Sequence, residues 1–98
     1  MIGDEAPVAE ARRAVEIVNK RGLHARASAK FVAAVSQLDG CDVRVAKDGF
    51  EAAGGSILGL MMLGAARGDT IEIVVTGSEA EARLANLVEL VSGGFGEE

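Results

Sequence analysis

Alternating apolar and polar positions predict three short β-strands, and a hairpin signal after the second predicts a fourth. Apolar side chains at every second position lie on one face of an extended chain, so each such segment has one side suited to a core. The dipeptide Asp48-Gly49 favours a two-residue hairpin turn between the second and third segments. The predicted strands cover residues 12–19, 41–46, 50–53 and 70–76.

Three further segments have apolar residues three or four positions apart, which is the period of a helix packed on one face. The first predicted helix covers residues 25–38. The second is short, covers residues 56–63, and begins with Ser56 as its N-cap. The third begins at a capping box, Ser78-Glu79-Ala80-Glu81, and ends before Gly93.

The order β-α-β-β-α-β-α predicts an α+β fold. Strands with one apolar and one polar face need helices on one side only, which gives an open-faced β-sandwich with a mainly antiparallel sheet. Residues 1–10 contain the only proline, Pro7, and show no period. We therefore expect a loose N-terminal extension at 1–10 and a single domain at 11–98.

Composition limits the classes of function. With 98 residues and 49% hydrophobic residues the chain forms a core without disulfides, and its one cysteine, Cys41, is expected to be a small buried hydrophobe. A net charge of -5 argues against general nucleic-acid binding. The acidic N-terminus does not resemble a signal peptide, and no segment approaches the ~20 apolar residues of a membrane span. We expect a cytoplasmic protein that does not bind membranes.

The charge distribution singles out one region. No acidic residue occurs between Glu16 and Asp39, although the chain as a whole is acidic. This interval contains four cations, Lys20, Arg21, Arg26 and Lys30. They form either a solvated basic helix face or a site for an acidic partner or phosphate donor, and we favour the second interpretation.

His24 lies at the centre of this basic interval and is the only histidine. It follows a glycine turn and precedes the first predicted helix, where unpaired backbone N–H groups attract anions such as phosphate. An imidazole there is a candidate nucleophile, and Arg26 offers a planar set of donors to phosphate oxygens. The alternative is a histidine that only caps the helix. One histidine without clustered cysteines or carboxylates predicts neither a metal site nor a cofactor.

The stretch around His24 resembles the active-site motif of the histidine-containing phosphocarrier family HPr of the bacterial phosphotransferase system. The matching residues are Gly22-Leu23-His24-Ala25-Arg26. Further matches are the second helix with its regulatory serine, Ser56 to Leu63, then Gly68-Asp69, and the closing Gly94-Phe95-Gly96-Glu97. The resemblance covers residues 12 to 97, nearly the whole chain.

The family resemblance implies strand order 1-4-2-3 with three helices on one face. It also implies that His24 accepts a phosphoryl group on Nδ1 from phosphoenolpyruvate by way of enzyme I. His24 then passes the group to a IIA-type protein, so the chain is a stoichiometric carrier rather than a free-standing enzyme. Arg26 is expected to stabilise the phosphate. The alternative class is a regulatory binding domain on the same scaffold that acts by contact alone.

The resemblance also implies regulation and partner docking. Ser56 matches the site of a regulatory serine kinase, although Gly55 stands where many relatives have lysine. Similarly, Ala27 replaces the usual proline after the arginine. We expect a monomer, and the sequence leaves open whether it serves the sugar or the nitrogen-type branch. The predicted docking residues are Lys20, Arg21, Ala27, Lys30, Ile57, Leu60 and Met61.

Overall fold

The computed structural model describes residues 9–97 and shows one four-stranded sheet with three α-helices. The strands are β1 Glu10–Glu16, β2 Cys41–Lys47, β3 Phe50–Ala53 and β4 Thr70–Gly77. The helices are α1 Ala25–Val35, α2 Ile57–Met62 and α3 Ala80–Ser92, followed by a 3-10 turn at Gly94–Gly96. The predicted order of strands and α-helices is confirmed, whereas the 3-10 turn was not predicted.

The sheet has the strand order β1-β4-β2-β3, and all three pairings are antiparallel. The predicted hairpin between β2 and β3 is confirmed. Its turn residues Asp48 and Gly49 have φ values of 50° and 85°, the left-handed conformation that a two-residue hairpin of this kind requires. The order implied by the family resemblance is therefore confirmed.

The helices cover one face of the sheet, and the core lies between them. The largest fully buried side chains come from both layers, namely Ile17, Phe31, Leu60, Ile71, Ile73, Leu84, Leu87 and Phe95. Burial of each such side chain contributes roughly 1.5–3 kcal/mol. The opposite face of the sheet is polar and exposed, with ion pairs such as Arg12–Glu72 and Arg44–Glu51. The open-faced sandwich predicted from the sequence is thus confirmed.

The N-terminal part of the chain differs from the prediction. Residues 1–8 of the predicted extension lie outside the described residues, but Glu10 already belongs to β1 and pairs with Thr76. The strand ends at Glu16, three residues before the predicted end, and the backbone of Ile17 bonds Asp69 and Gly68 in the loop before β4. Cys41, expected to be buried, is partly exposed at the start of β2 although it packs against the core.

Two helix boundaries also differ. The first helix ends at Val35, because Gln37 and Leu38 donate to carbonyls three residues back and tighten the last turn. The predicted capping box at the third helix is wrong. The backbone N–H of Ser78 donates to Gly40, and the N-cap is Glu79 in a left-handed conformation with φ of 52°. A contact between distant segments therefore replaces the local cap.

Candidate active site

His24 is held in place by a close approach of two loops. Gly22 has φ of 63°, and a Cβ there would collide with the carbonyl oxygen of Ala65. This proximity allows the N–H of Leu23 to donate to the same carbonyl oxygen at 2.9 Å. Leu23 itself is buried, so the residue that follows it is presented at the surface.

His24 occupies the N-cap position of α1, as the sequence predicted. Its carbonyl accepts the N–H of Ser28 at 2.9 Å, while its side chain makes no capping hydrogen bond. The N–H groups of the next three residues, 25–27, have no acceptor within the helix because of helix geometry. The first turn of α1 has no acidic residue. These donors and the helix dipole favour an anion beside the imidazole ring.

The ring of His24 is in contact with the C-terminal segment. Its Nε2 atom lies 2.9 Å from Glu97 Oε2. The other carboxylate oxygen of Glu97 accepts a hydrogen bond from Asn19 Nδ2 at 3.1 Å. The Asn19 amide also donates to the carbonyl of Gly22 at 2.8 Å. The side chains of His24 and Glu97 are 22% and 15% exposed, so the contact is partly shielded from water.

The surroundings of Glu97 stabilise its charged form. Burial alone would raise the pKa of this carboxyl. Hydrogen bonds from Asn19 and His24, together with the positive charge of Lys30, offset that effect and hold the pKa below its usual value. Glu97 is therefore a carboxylate at neutral pH.

Positive side chains surround the pair. A cleft of about 470 Å³ is lined by His24, Glu97 and Gly96 together with the cations Lys20, Arg21, Arg26 and Lys30. Lys30 donates to the carbonyl of Phe95 at 2.7 Å, and so links α1 to the C-terminal turn. Arg26 is exposed, and its side chain makes no hydrogen bond or ion pair with another residue in the range 9–97. The structure thus brings together the basic residues that the sequence placed in one interval.

Comparisons with known proteins agree with this arrangement. The family model described as "PTS HPr component phosphorylation site" matches residues 11–93. The chain belongs to the HPr family. It is 44% identical over 86 residues to phosphocarrier protein HPr of Neisseria meningitidis, a match that covers 88% of this chain and 96% of that protein.

A phosphocarrier named NPr and a solved HPr structure are similar as well. Phosphocarrier protein NPr of Escherichia coli K12 is 36% identical over 87 residues, covering 89% of this chain and 97% of that protein. The crystal structure of HPr-C-His from Thermoanaerobacter tengcongensis superposes with a TM-score of 0.84 at 36% identity. That match covers 90% of this chain and 98% of the other. The chain is therefore a phosphocarrier of the phosphotransferase system, and its partners are proteins of that system.

The second helix of this HPr-family protein has its predicted cap. The hydroxyl of Ser56 accepts the N–H of Gly59 at 2.9 Å, so Ser56 is the N-cap of α2. Four apolar side chains of this short helix remain exposed: Ile57 40%, Leu58 67%, Met61 41% and Met62 77%. The apolar run of α2 is therefore partly exposed and not fully packed into the core.

Two of the predicted docking residues do not reach the surface. Ala27 and Leu60 are 0% exposed, because α1 and α2 turn these side chains into the core beneath the active site. They support the surface from below and are not part of it. Among residues 9–97, no group of three histidine, cysteine, aspartate or glutamate side chains is placed to hold a metal ion. No helix in that range is long and apolar enough to cross a membrane.

Sequence reasoning missed Asn19 and Glu97 as members of the site. Glu97 belongs to the closing segment that matches the HPr pattern, which was the available signal. Its charge and position do not show that it meets a residue 73 positions earlier. Asn19 ends a predicted strand, and its amide was not distinguished from that of an ordinary turn residue.

Proposed function

We propose that His24 is the residue that carries the phosphoryl group. The group comes from phosphoenolpyruvate by way of enzyme I and passes to a histidine of a IIA-type protein. The observation that carries this proposal is the partly exposed imidazole at the start of α1, set among four cations and beside amides without helical acceptors. A phosphoryl group on His24 lies within a positive field that is already in place before transfer.

In the transfer step, a lone pair of the His24 ring attacks phosphorus, and the bond from phosphorus to the ring nitrogen of the donor breaks. The electron pair of that bond returns to the donor ring. The chain contributes position and electrostatics, because the phosphate oxygens retain negative charge throughout. Arg26 is exposed and has no partner within residues 9–97, so its guanidinium is available to the phosphate oxygens.

The proposed docking surface combines a charged part and an apolar part. Lys20, Arg21 and Lys30 surround His24 and attract acidic partners. Ile57 and Met61 are exposed on α2, which packs against α1, and flexible methionine side chains adapt to more than one partner. Enzyme I and IIA-type proteins therefore use overlapping surfaces, and one partner leaves before the next one binds.

Ser56 is the proposed site of a regulatory serine kinase. It caps α2 at the edge of the apolar part of the docking surface, so a phosphate there places negative charge beside Ile57 and Met61. Gly55, directly before Ser56, is exposed, and nothing lies within 4 Å of a Cβ added there. Because glycine has no side chain, a kinase meets no positive charge at this position. We further propose that the chain acts as a monomer in the cytoplasm.

The decisive experiment is incubation of the whole protein with enzyme I and phosphoenolpyruvate, followed by intact mass measurement. Wild type gains the mass of one phosphoryl group, in an acid-labile and base-stable linkage. His24→Ala gains none, whereas Gln37→Ala, at an exposed position two residues after α1, behaves as wild type. Arg26→Ala accepts phosphate more slowly. Absence of phosphorylation in wild type would instead favour a regulatory domain that acts by contact alone.

A further inference from the structure

We propose that the edge strand β3 and the groove beside it bind an extended segment of another protein, in which apolar side chains alternate with basic ones. The bound segment adds one more strand to the sheet. The groove shares no lining residue with the cleft around His24, so the inference does not depend on the proposed function. Unpaired backbone groups, exposed apolar side chains and the charge at the rim of the groove support it.

The backbone of β3 has hydrogen-bonding groups that point away from the sheet. β3 is the last strand in the order β1-β4-β2-β3, so it is paired on one side only. The N–H of Gly54 donates to the carbonyl of Val43 in β2 at 2.7 Å. In an antiparallel pair, residues that bond to the neighbouring strand alternate with residues that do not. Glu51 and Ala53 therefore turn their backbone groups outward.

Three of these outward groups have no hydrogen-bond partner. The carbonyl of Ala53 accepts the N–H of Ser56 at 3.1 Å and is satisfied. The N–H and carbonyl of Glu51 and the N–H of Ala53 bond to no other residue in the described range 9–97. Such groups at the edge of a sheet are a template for another extended chain. Backbone hydrogen bonds of this kind provide affinity, and adjacent pockets select side chains.

A groove of about 670 Å³ runs between β3 and α2, beside these groups. Its apolar lining consists of Phe50, Ala52, Gly59, Met62 and Leu63. Gly59 has no side chain, and a Cβ there would lie 3.3 Å from the Cβ of Ala52, so α2 lies close to β3. The groove therefore has room for apolar side chains of an added strand that point to the helix side of the sheet.

Phe50 is exposed in a way that the other aromatic residues are not. Its side chain is 72% exposed, whereas Phe31 and Phe95 are 1% and 2% exposed in the core. Met62, on the other side of the groove, is 77% exposed. Aromatic residues and methionine are enriched in protein–protein interfaces. Phe50 is therefore the side chain on which we expect binding to depend most.

The groove and the proposed docking surface for enzyme I lie on different flanks of α2. Ile57 and Met61 share one flank, because residues four positions apart are neighbours on a helix. Gly59 and Leu63 share the opposite flank, since two residues turn a helix by about 200°. A segment bound along β3 thus leaves the cleft around His24 open, and its partner differs from the proteins that exchange phosphate.

The charge at the rim of the groove also differs from that of the His24 cleft. The carboxylates of Asp48 and Glu51 are 78% and 54% exposed. Their ion-pair partners, Lys47 and Arg44, are only 16% and 40% exposed. The charge that a partner meets first is therefore negative, and it is complemented by basic side chains.

The alternation of the bound segment follows from the geometry of a strand. Successive side chains of a strand point to opposite faces of its sheet. In β3, the buried Ala52 points to the helix side, so Glu51 points to the open side. An added strand consequently places every second side chain in the apolar groove and the side chains between them beside the carboxylate of Glu51.

The test uses the whole protein labelled with 15N and a short, capped peptide that alternates leucine and lysine. Binding is measured by fluorescence anisotropy, and amide exchange with water is followed residue by residue. We expect the N–H groups of Glu51 and Ala53 to become protected when the peptide binds. A peptide with N-methylated backbone amides, or with glutamate in place of lysine, should bind more weakly by about 10-fold or more.

Protein variants separate the groove from exposed apolar surface in general. Phe50→Ser should weaken binding by about 10-fold or more, the scale of an interface residue on which binding depends. The matched control is Leu58→Ser, which removes an apolar side chain that is 67% exposed but does not line the groove, and it should bind as wild type. Ala53→Pro removes one outward N–H and should also weaken binding. Thermal melting shows whether each variant is folded, and the N-methylated peptide tests the same hydrogen bonds on wild type.

Three results would overturn the inference. They are absence of binding to wild type at millimolar peptide, equal affinity of wild type and Phe50→Ser, and binding without protection of Glu51 and Ala53. Self-association of the protein that protects these amides without peptide would assign the groove to a second copy and contradict the proposal as well. A wild type that accepts no phosphate on His24 would remove the proposed function and leave this inference intact.

Discussion

At the scale of single residues, the site depends on positions where one residue type is required. Gly22 combines a left-handed backbone with direct contact to the carbonyl of Ala65. Any side chain there would destabilise the fold in two ways, through strain in its own backbone and through collision with the opposite loop. The collision also bears on function, because the contact between the two loops positions Leu23 and His24.

Gly22→Ala is therefore predicted to lose more stability than an alanine at a comparable left-handed glycine. Gly64 is a matched control, since its φ of 66° is close to the 63° of Gly22 but nothing lies within 4 Å of an added Cβ. Gly64→Ala should cost about 1 kcal/mol, and Gly22→Ala about 1–3 kcal/mol more because of the collision. Chemical denaturation of the two variants gives both values. Equal losses of stability in the two variants would show that the loops of Gly22 and Ala65 can move apart without cost.

At the scale of secondary structure elements, local sequence predicted most of what is observed. The alternation of a strand and the period of a helix can be seen in the sequence itself, so β4 and the apolar stripe of α3 were found directly. The predictions failed where a distant segment decides the local conformation. Ser78 looks like a helix cap, but its N–H is bonded to Gly40, and the left-handed Glu79 begins the helix instead.

The cap that did form, Ser56 on α2, leads to a prediction about regulation. Aspartate is also a good N-cap, and its charge suits the positive end of the helix, so Ser56→Asp should melt no lower than wild type. The same charge lies beside Ile57 and Met61, and it should slow phosphorylation of His24 by enzyme I. Thermal melting and the initial rate are measured together.

The control for this substitution is Ala82→Asp, which adds the same charge at an exposed position in the first turn of α3, away from the C-terminal turn. It should leave the rate unchanged. If Ser56→Asp is stable and as fast as wild type, α2 is not part of the surface that enzyme I binds. If Ser56→Asp is unfolded, the role of Ser56 is purely structural.

At the scale of the whole molecule, the sequence alone specified the layers but not their arrangement. An apolar face on each strand predicts a one-sided sandwich, whereas the strand order came only from the family resemblance. His24 and its basic neighbours lie within one short interval of the sequence and were found there. Glu97 was not, because hydrophobic periodicity says nothing about which polar side chains meet across 73 residues.

The whole-molecule charge pattern gives the last prediction. The chain has a net charge of -5, yet Lys20 and Arg21 stand at the edge of the His24 cleft. A local positive field speeds encounter with an acidic partner, and salt weakens it over a screening length of ~10 Å at 0.1 M. Association with enzyme I should therefore slow as salt rises. Stopped-flow measurement across a salt series gives the slope of the association rate against salt concentration.

A variant with Lys20→Gln and Arg21→Gln should associate more slowly at low salt and show a weaker salt dependence. The control variant changes Arg12 and Arg44 to glutamine, on the open face of the sheet, away from the helices. Both variants lose two positive charges, so each has a net charge of -5 - 2 = -7. Only the first should flatten the slope, because steering depends on where charge lies near the docking surface. Equal slopes for the two variants would mean that net charge, rather than the cations beside His24, governs the encounter.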